Sequence, residues 1–363
     1  MLEQNMNQTS SIGACWPPEP ASHQRLRGFY DHALYSGADV EQFTEQFEHH
    51  AMSAQEQGLT RTTIRAVVDA PMIRRIHDAG VRVEAAMPIA GHDGRWVAYM
   101  ARNDEDRSMG VDAVAGHEER LAMRPISRQR EDWVRSGRGL WLPEGIVHSR
   151  TSPAAREQLV PRFTELYGAF GYTEDDVAEL VTTPNNTIAY LEHEDQIVST
   201  AMAEVGRVMV KGFGVLTMAE ITEGITREDF RRTGLYRRVT AALVRRIVGV
   251  GPAAVGGLHV LFGECNLNMP GVLLAARENG REFSRDRTDR GRRLGLPVDP
   301  TFGMLEQNFR VEDGVETRPY NDFALSWIPL PRTGRLMTIA VQPGARSRVT
   351  PARRRYAGRR SRP

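Results

Sequence analysis

The segment DFRRTGLYRRVTAALVRRI, residues 229–247, joins an arginine-rich turn containing Gly234 to a helical pattern. A helix N-terminus presents backbone N–H groups and a partial positive charge, which together favour phosphate binding. Glycine in the preceding turn leaves no Cβ to block a ligand, and Arg231 and Arg232 add complementary charge. The segment therefore fits a pyrophosphate-binding loop. Taken alone, it fits a surface helix with solvated arginines equally well.

Three glutamates near predicted strand ends are candidates for proton transfer. Glu220 and Glu223 lie at the end of the predicted strand GVLTMAEIT, beside the glycine turn, and Glu264 ends the predicted strand GGLHVLFGEC. A carboxylate in such a position can accept a proton from an attacking amine. The alternative for each is a carboxylate on a solvated strand end, or one that binds an ammonium group without taking its proton.

The composition indicates a globular protein with two domains. The chain has 363 residues, 40% of them hydrophobic. No apolar run approaches the roughly 20 residues of a membrane span, and residues 1–20 lack the pattern of a secretory signal. Cys15 and Cys265 give neither a disulfide framework nor a metal-ligand spacing. We therefore expect a cytoplasmic protein that binds no metal.

Charge is unevenly distributed along the chain. The formal net charge is +1, but residues 331–363 contain ten arginines and no acidic residue, which leaves about nine net negative charges on residues 1–330. We expect this basic tail and the leader of residues 1–24 to be disordered. Charge alone would allow the tail to bind nucleic acid. A basic extension also suits an arginine-rich sequence, and we expect no nucleic-acid partner.

Two α/β units are predicted between these ends. The first contains a helix over residues 39–58, the strand TTIRAVVDA, the helix PMIRRIHDAG and two strands joined by AGHDG. The second begins with a helix pair broken at Pro161 and continues with two strands around EHEDQ, the strand GVLTMAEIT and the helix of residues 235–247. The strand GGLHVLFGEC, the helix PGVLLAARENG and two late strands, FGMLEQNFRVEDG and YNDFALSWIPL, complete it.

This order of elements, together with DFRRTGLYRR, resembles the GCN5-related N-acetyltransferases (GNAT). Their coenzyme A loop follows the pattern Gln/Arg-x-x-Gly-x-Gly/Ala, and Arg231, Gly234 and Tyr236 fall on its three fixed positions, with Tyr236 where a small residue is usual. The resemblance extends to the two-domain β-lysine N-acetyltransferases through the segments VRVEAAMPIAGHDGRWVAYMARNDEDR, MAEITEGITREDFRRTGL and LEQNFRVEDG. In that group a degenerate N-terminal unit precedes the catalytic domain.

The resemblance implies an α/β (α+β) GNAT fold, with a mixed central sheet flanked by helices. It places a degenerate GNAT-like domain at residues 25–110, a connection at 111–146 and the catalytic domain at 147–330. The N-terminal unit lacks the coenzyme A loop. We therefore expect that it binds no coenzyme, packs on the catalytic domain and walls the acceptor pocket, in a monomer or a homodimer.

The implied reaction is direct transfer of an acetyl group from acetyl-CoA to the amine of a small molecule, an amino acid or diamino acid such as β-lysine in specialised metabolism. The resemblance places an acidic residue at Glu223, the favoured base, with Glu220 and Glu264 as the other candidates. Asn308 and Asp322 are expected in the acceptor pocket, or alternatively face solvent from edge strands. The expected coenzyme-binding residues are Ile221, Thr226, Arg231, Arg232, Thr233, Gly234, Leu235, Tyr236 and Asn268.

Some positions depart from the family pattern. The tyrosine that usually protonates the thiolate is replaced by Ala276, which leaves water, another side chain or Tyr236 for that role. Asn268 would contact the pantetheine arm or, alternatively, cap the following helix. With Tyr236 in the place of a small residue, these departures keep a second function open, that of a regulatory module that binds acyl-CoA without turnover.

Overall fold

The structure, a computed structural model, contains in its described residues two large β-sheets that pack against each other and a separate pair of short strands. It describes residues 12–13, 25–59, 61–103, 142–231, 233–255, 257–266, 270–278, 282–283, 294–296, 302–305, 311–312, 315–316 and 323–327. The tail of residues 331–363, most of the leader and most of the connection lie outside these residues. In the described part of the chain, no helix is both long and apolar enough to cross a membrane.

The first sheet has five strands in the order β1-β2-β3-β5-β4. β2 and β3 run parallel, and the other neighbours run antiparallel. Two strand residues fall within the leader expected to be disordered, so that expectation is wrong at these residues, which pair with β2. The elements are β1 (Ile12–Gly13), β2 (Arg25–Tyr30), α1 (Val40–Glu56), β3 (Arg61–Asp69), α2 (Ala70–Asp78), β4 (Arg82–Pro88) and β5 (Arg95–Asn103).

Local signals explain the two helices of this unit. Asp39 accepts hydrogen bonds from the backbone N–H groups of Glu41 and Gln42 at the start of α1, and Asp69 accepts one from that of Met72 at the start of α2. Gly58 follows α1 with a φ of +75°, a conformation that favours glycine. Both helices pack on one face of the sheet, as their apolar spacing predicts.

The second sheet has eight strands. Its main order is β11-β15-β10-β9-β8-β7-β6, and β12 pairs with β15. The strands are β6 (Glu144–Val147), β7 (Asn186–His193), β8 (Gln196–Val210), β9 (Gly214–Thr226), β10 (Val260–Asn266), β11 (Glu282–Phe283), β12 (Met304–Leu305) and β15 (Phe323–Trp327). The helices are α3 (Pro153–Glu157), α4 (Val160–Gly168), α5 (Glu174–Thr182), α6 (Leu235–Val255) and α7 (Pro270–Glu278).

Helices cover both faces of this sheet. α6 packs on the face that includes Ala201 and Ala219. α4 and α5 pack on the opposite face, around Met202 and Ile188, because successive residues of a strand point to opposite faces. The protein is therefore of the α/β class, with mixed sheets flanked by helices, as expected.

The first sheet packs on the second through an apolar layer. Phe29, Val67 and Met87 of the first sheet share this layer with Met218 and Phe262 of the second. Backbone hydrogen bonds also join the units: the N–H of Ala33 donates to the carbonyl of Lys211 at 2.8 Å, and that of Ala90 to the carbonyl of His259 at 2.9 Å. The expectation that the first unit packs on the second is confirmed.

Two parts of the second unit differ from the sequence prediction. α5 was not predicted, although Thr173 and Asp176 form a capping box at its start, and the Thr-x-x-Asp spacing could have indicated it. The late segment FGMLEQNFRVEDG was predicted as one strand. Instead it contributes β12 and a separate strand β13 (Val311–Glu312), which pairs with β14 (Val315–Glu316). The intervening Asp-Gly dipeptide favours such a two-residue hairpin.

Arg156 holds the end of α5 and provides a test of the fold. Its side chain is 2% exposed, and its guanidinium donates to the carbonyls of Val181 (2.7 Å), Thr183 (2.8 Å) and Asn186 (3.1 Å). Arg156→Met would leave these acceptors without their donor. We expect a loss of roughly 3 kcal/mol in the free energy of unfolding, measured by urea denaturation.

The matched control is Arg150→Met, because Arg150 is exposed. We expect a change within about 0.5 kcal/mol for this variant. Equal effects of the two substitutions would contradict a structural role for Arg156.

Candidate active site

The central feature of the second sheet is the separation of two parallel strands. β9 and β10 pair from Met218–Val260 to Glu220–Phe262. Beyond this register β9 continues to Thr226 and pairs with β8, whereas β10 continues to Asn266 and pairs with β15. The two strands therefore diverge and open a cleft within the sheet.

A β-bulge lies on the cleft-lining part of β9. Glu223 and Gly224 stand opposite the single residue Ala201 of β8, and Glu223 has a φ of +46°. This left-handed conformation costs about 1–2 kcal/mol for a residue with a side chain. Two tyrosines offset it: the Tyr167 hydroxyl donates to the carbonyl of Glu223 at 3.0 Å, and the Tyr172 hydroxyl donates to its carboxylate.

Gly224 brings the N-terminus of α6 close to the bulge. A Cβ atom at Gly224 would lie 2.2 Å from Cε2 of Tyr236, so the tyrosine ring occupies the space that any other residue would fill. Tyr236 is the second residue of α6. The departure from a small residue at position 236 is therefore matched by the absence of a side chain at position 224.

The predicted phosphate-binding turn has an open glycine before a helix. Gly234 has a φ of +85° and directly precedes α6. Of the residues that the structure describes, a Cβ there would come within 4 Å of the Arg237 side chain alone, at 3.9 Å, so these residues leave the space beside the turn open. Thr233 Oγ1 donates to the carbonyl of Phe230 at 2.5 Å, and Arg231 Nε donates to that of Thr226 at 3.3 Å. Glycine is favoured here by backbone conformation as well as by access.

The other predicted residues divide into three groups. Ile221 and Leu235 are buried in the core beneath α6, so a ligand could use only their backbone groups. Thr226 Oγ1 lies 2.8 Å from Ser199 Oγ. Ala276 is buried beside Cys265 and, as an alanine, has no group that could protonate a thiolate. Four predicted binding residues lie outside the described residues: Arg232, Asn268, Asn308 and Asp322.

Carboxyl groups gather where β9 and β10 begin to diverge. Glu220 of β9 pairs across the sheet with Glu204 of β8. Glu220 is 5% exposed, and among the described residues its Oε2 atom has no hydrogen-bond partner. Burial and the neighbouring Glu264 raise the pKa of Glu220, and burial together with Glu223 raises the pKa of Glu204 to about 7. Burial also raises the pKa of Glu223, against the hydrogen bond from Tyr172.

Two arginines of the first sheet reach the carboxyl group of Glu264, and the sequence prediction missed them. Arg27 Nη2 donates to Glu264 Oε2 at 2.7 Å, and Arg65 Nη2 lies 4.0 Å from Glu264 Oε1. The Arg65 guanidinium also lies over the ring of Tyr99, 5.0 Å from its centroid. One signal could have found them: each arginine has residues without a polar side chain on both sides, Leu26 and Gly28 for Arg27, and Ile64 and Ala66 for Arg65. Glu204, on the strand TAMAEV, had the same signal.

The arrangement can support acid–base chemistry on a ligand that enters the cleft. The Glu220 and Glu264 carboxyl groups lie where the strands begin to diverge, and the N-terminus of α6 lies by the bulge, four residues further along β9. Four residues of extended chain span about 13 Å. Among the described residues, no group of three or more His, Cys, Asp or Glu side chains is arranged to hold a metal ion.

The raised pKa values predict how stability depends on pH. A carboxyl group whose folded-state pKa is raised contributes stability that is fully present below its unfolded pKa and is lost as pH rises through the folded pKa. We therefore expect the free energy of unfolding to fall between about pH 5 and pH 8. Glu220→Gln should make this fall smaller, as measured by urea denaturation across that range.

Glu157→Gln is the control, since Glu157 is exposed on α3. This variant should retain the pH dependence of the wild-type protein. An unchanged slope in Glu220→Gln would show that folding does not raise the pKa of Glu220.

Comparisons with known proteins gave matches to solved structures. No family model matches the chain, and no curated protein matches it. Part of the chain is similar to an aminoglycoside acetyltransferase, meta-AAC0020, from an uncultured soil metagenomic sample. The two are 14% identical, the match covers 38% of this chain and 87% of that chain, and the TM-score is 0.29. Arabidopsis thaliana NAA60 is 9% identical, and the match covers 51% of this chain and 97% of that chain with a TM-score of 0.36. The Escherichia coli ribosomal-protein-S18-alanine N-acetyltransferase is 13% identical, and the match covers 53% of this chain and 97% of that chain with a TM-score of 0.34.

Proposed function

We propose that this chain is an acetyl-CoA-dependent N-acetyltransferase of the GNAT superfamily that acts on the amine of a small molecule. The observation that carries the proposal is the cleft between β9 and β10. It has buried carboxyl groups where the strands begin to diverge, and an open glycine turn before α6 at its other end. A group-transfer enzyme with an elongated, anionic donor requires both features.

The donor is proposed to bind along the cleft. Its pyrophosphate would accept hydrogen bonds from the backbone N–H groups of the first turn of α6, after Gly234, with charge from Arg231 and Arg232. Its pantetheine arm would lie beside the edge of β9 that β10 leaves beyond Glu220, because an open strand edge can pair with an extended chain. Thr226 and Asn268 are the proposed side-chain contacts of this arm.

The transfer itself is direct in this proposal. The acceptor amine loses a proton to a carboxylate and attacks the thioester carbonyl; the N–C bond forms, the C–S bond breaks and coenzyme A leaves as a thiolate. Holding both substrates in one cleft removes much of the entropic barrier. A backbone N–H of the bulge on β9 would stabilise the oxyanion. The attacking nitrogen then loses its second proton, which would pass to the thiolate through water or the hydroxyl of Tyr236, since Ala276 supplies no acid.

The acceptor is proposed to be cationic. Glu204, Glu220 and Glu223 lie near one another on β8 and β9, and buried acidic groups favour a substrate that brings a positive charge. A diamino acid such as β-lysine has this chemistry. Asn308 and Asp322 are proposed to contact it. Glu223, Glu220 and Glu264 are all proposed to line the reacting end.

One observation favours a second function. The Tyr236 ring lies directly against Gly224 at the bulge, where the donor's arm would pass. A protein that binds acyl-CoA in an altered position and regulates another process without turnover would also retain the cleft and the glycine turn. Binding without turnover on any acceptor would indicate this function.

The test is the release of coenzyme A from acetyl-CoA, detected with a thiol reagent and confirmed by product mass. The acceptors would be β-lysine, lysine, ornithine, other diamino acids and polyamines. We expect turnover with at least one of them. Gly234→Glu should raise the KM for acetyl-CoA by about tenfold or more, because it strains the turn and places a negative charge at the helix N-terminus.

Gly257→Glu is the matched control. Gly257 has a φ of +87° beyond the other end of α6, and a Cβ there would meet no atom of the described part of the chain within 4 Å. The same strain and charge are thus introduced away from the cleft, and the KM should not change. Absence of acetyl-CoA binding by the wild-type protein, measured by calorimetry, would exclude both functions.

A further inference from the structure

Charged side chains interrupt the apolar layer between the two sheets. Most of this layer consists of residues such as Val67, Met218 and Phe262. Next to them lie Arg27 and Arg65, which are 7% and 1% exposed. Burying ion pairs is costly, and apolar residues of similar volume usually stabilise a protein as well or better. Stability alone therefore does not explain these arginines.

The charges of this layer are unequally shared. Around Glu220 it holds the guanidinium groups of Arg27 and Arg65 and the carboxyl groups of Glu204 and Glu264. Both arginines approach Glu264, with Arg27 in direct contact at 2.7 Å and Arg65 at 4.0 Å. Glu220 is also buried, at 5% exposed, and among the described residues its Oε2 atom has no hydrogen-bond donor.

We propose that Arg27 and Arg65, on strands of the first sheet, are positioning residues of the transfer site. By holding Glu264 in an ion pair, they leave Glu220 as the carboxyl group that exchanges a proton with the acceptor amine. The proposal rests on the proposed function. It assigns part of the site to the unit that has no coenzyme-binding turn.

The proton exchange is balanced within the layer. The acceptor arrives as an ammonium ion, its proton passes to the Glu220 carboxylate, and the neutral amine attacks the thioester. Glu220 then releases the proton towards Glu204, which lies opposite on β8 and is half-buried, and from there to solvent. The second proton leaves the nitrogen as the amide forms and passes to the thiolate of coenzyme A. Each turnover therefore releases one proton to solvent and requires no additional reactant.

The charged groups that face Glu220 determine whether a substitution raises or lowers its pKa. Glu264 of β10 and Glu204 of β8 raise its pKa, whereas Arg65 of β3 and Arg27 of β2 lower it. Tyr99 of β5 lies beneath Arg65 as a neutral phenol, because burial raises its pKa. Removing the charge of Arg27 should therefore raise the pKa of Glu220 further. The base would then become available only at higher pH.

The experiment compares kcat/KM against pH for the wild-type enzyme and Arg27→Gln, with saturating acetyl-CoA. We expect the acidic limb to move up by about one pH unit, so that activity below it falls roughly tenfold and recovers at higher pH. The paired variant Arg27→Gln/Glu264→Gln should move the limb back, because it also removes the neighbouring carboxylate.

Arg61→Gln is the matched control. Arg61 forms an equally buried ion pair with Glu84, at 2.6 Å, within the first sheet alone. This variant should lower stability without moving the acidic limb. An equal loss of activity at every pH in Arg27→Gln and Arg61→Gln would overturn the proposal, because both arginines would then be merely structural.

A second measurement separates this proposal from the proposed function. The titration of Glu220 is followed by carbon-13 NMR of labelled glutamate carboxyl groups, with its signal identified by its loss in Glu220→Gln. We expect Glu220 to titrate at higher pH in Arg27→Gln. An unchanged titration overturns the positioning role even if turnover is observed. A shifted titration without turnover on any acceptor supports the coupling of Arg27 to Glu220. The same result contradicts the proposed acetyl transfer.

Discussion

The structure depends most on the point at which two neighbouring strands stop pairing. β9 and β10 are parallel partners up to Glu220 and Phe262, and each then continues beside a different strand. Such a separation exposes backbone groups within a sheet, which is unfavourable unless other groups bond them. The bulge at Glu223 is fixed by two tyrosine hydroxyls, which stabilise β9 in its divergent course.

The same bulge joins the two ends of the candidate site. Gly224 has no side chain, and this allows Tyr236 of α6 to lie against the strand. The first turn of α6 is thereby fixed relative to β9, which also carries Glu220. The proposed donor-binding and proton-transfer ends thus share one strand, so their separation varies little. A reaction that requires two substrates in register benefits from such rigidity.

Local patterns predicted most elements, whereas contacts between distant residues could not be predicted. The spacing of Phe43 and Phe47 identified α1, and the turn at EHEDQ identified the hairpin of β7 and β8. These features depend on neighbours in sequence. Arg27 and Glu264 are separated by 237 positions, and no period or spacing relates them. Glu204 was missed for the same reason: its importance comes from pairing with Glu220, a register set by the whole sheet.

The buried arginines explain why the two units act as one structure. The first sheet can supply the partner of a buried arginine itself, since Arg61 of β3 forms an ion pair with Glu84 of β4 in the same sheet. Arg27 depends instead on Glu264 of the second sheet. Removing one partner of a buried ion pair costs about 3–5 kcal/mol, because the other charge remains buried. Each unit alone would therefore carry an uncompensated charge on its apolar face. The contact that joins the sheets is thus the one that fixes the charge beside Glu220.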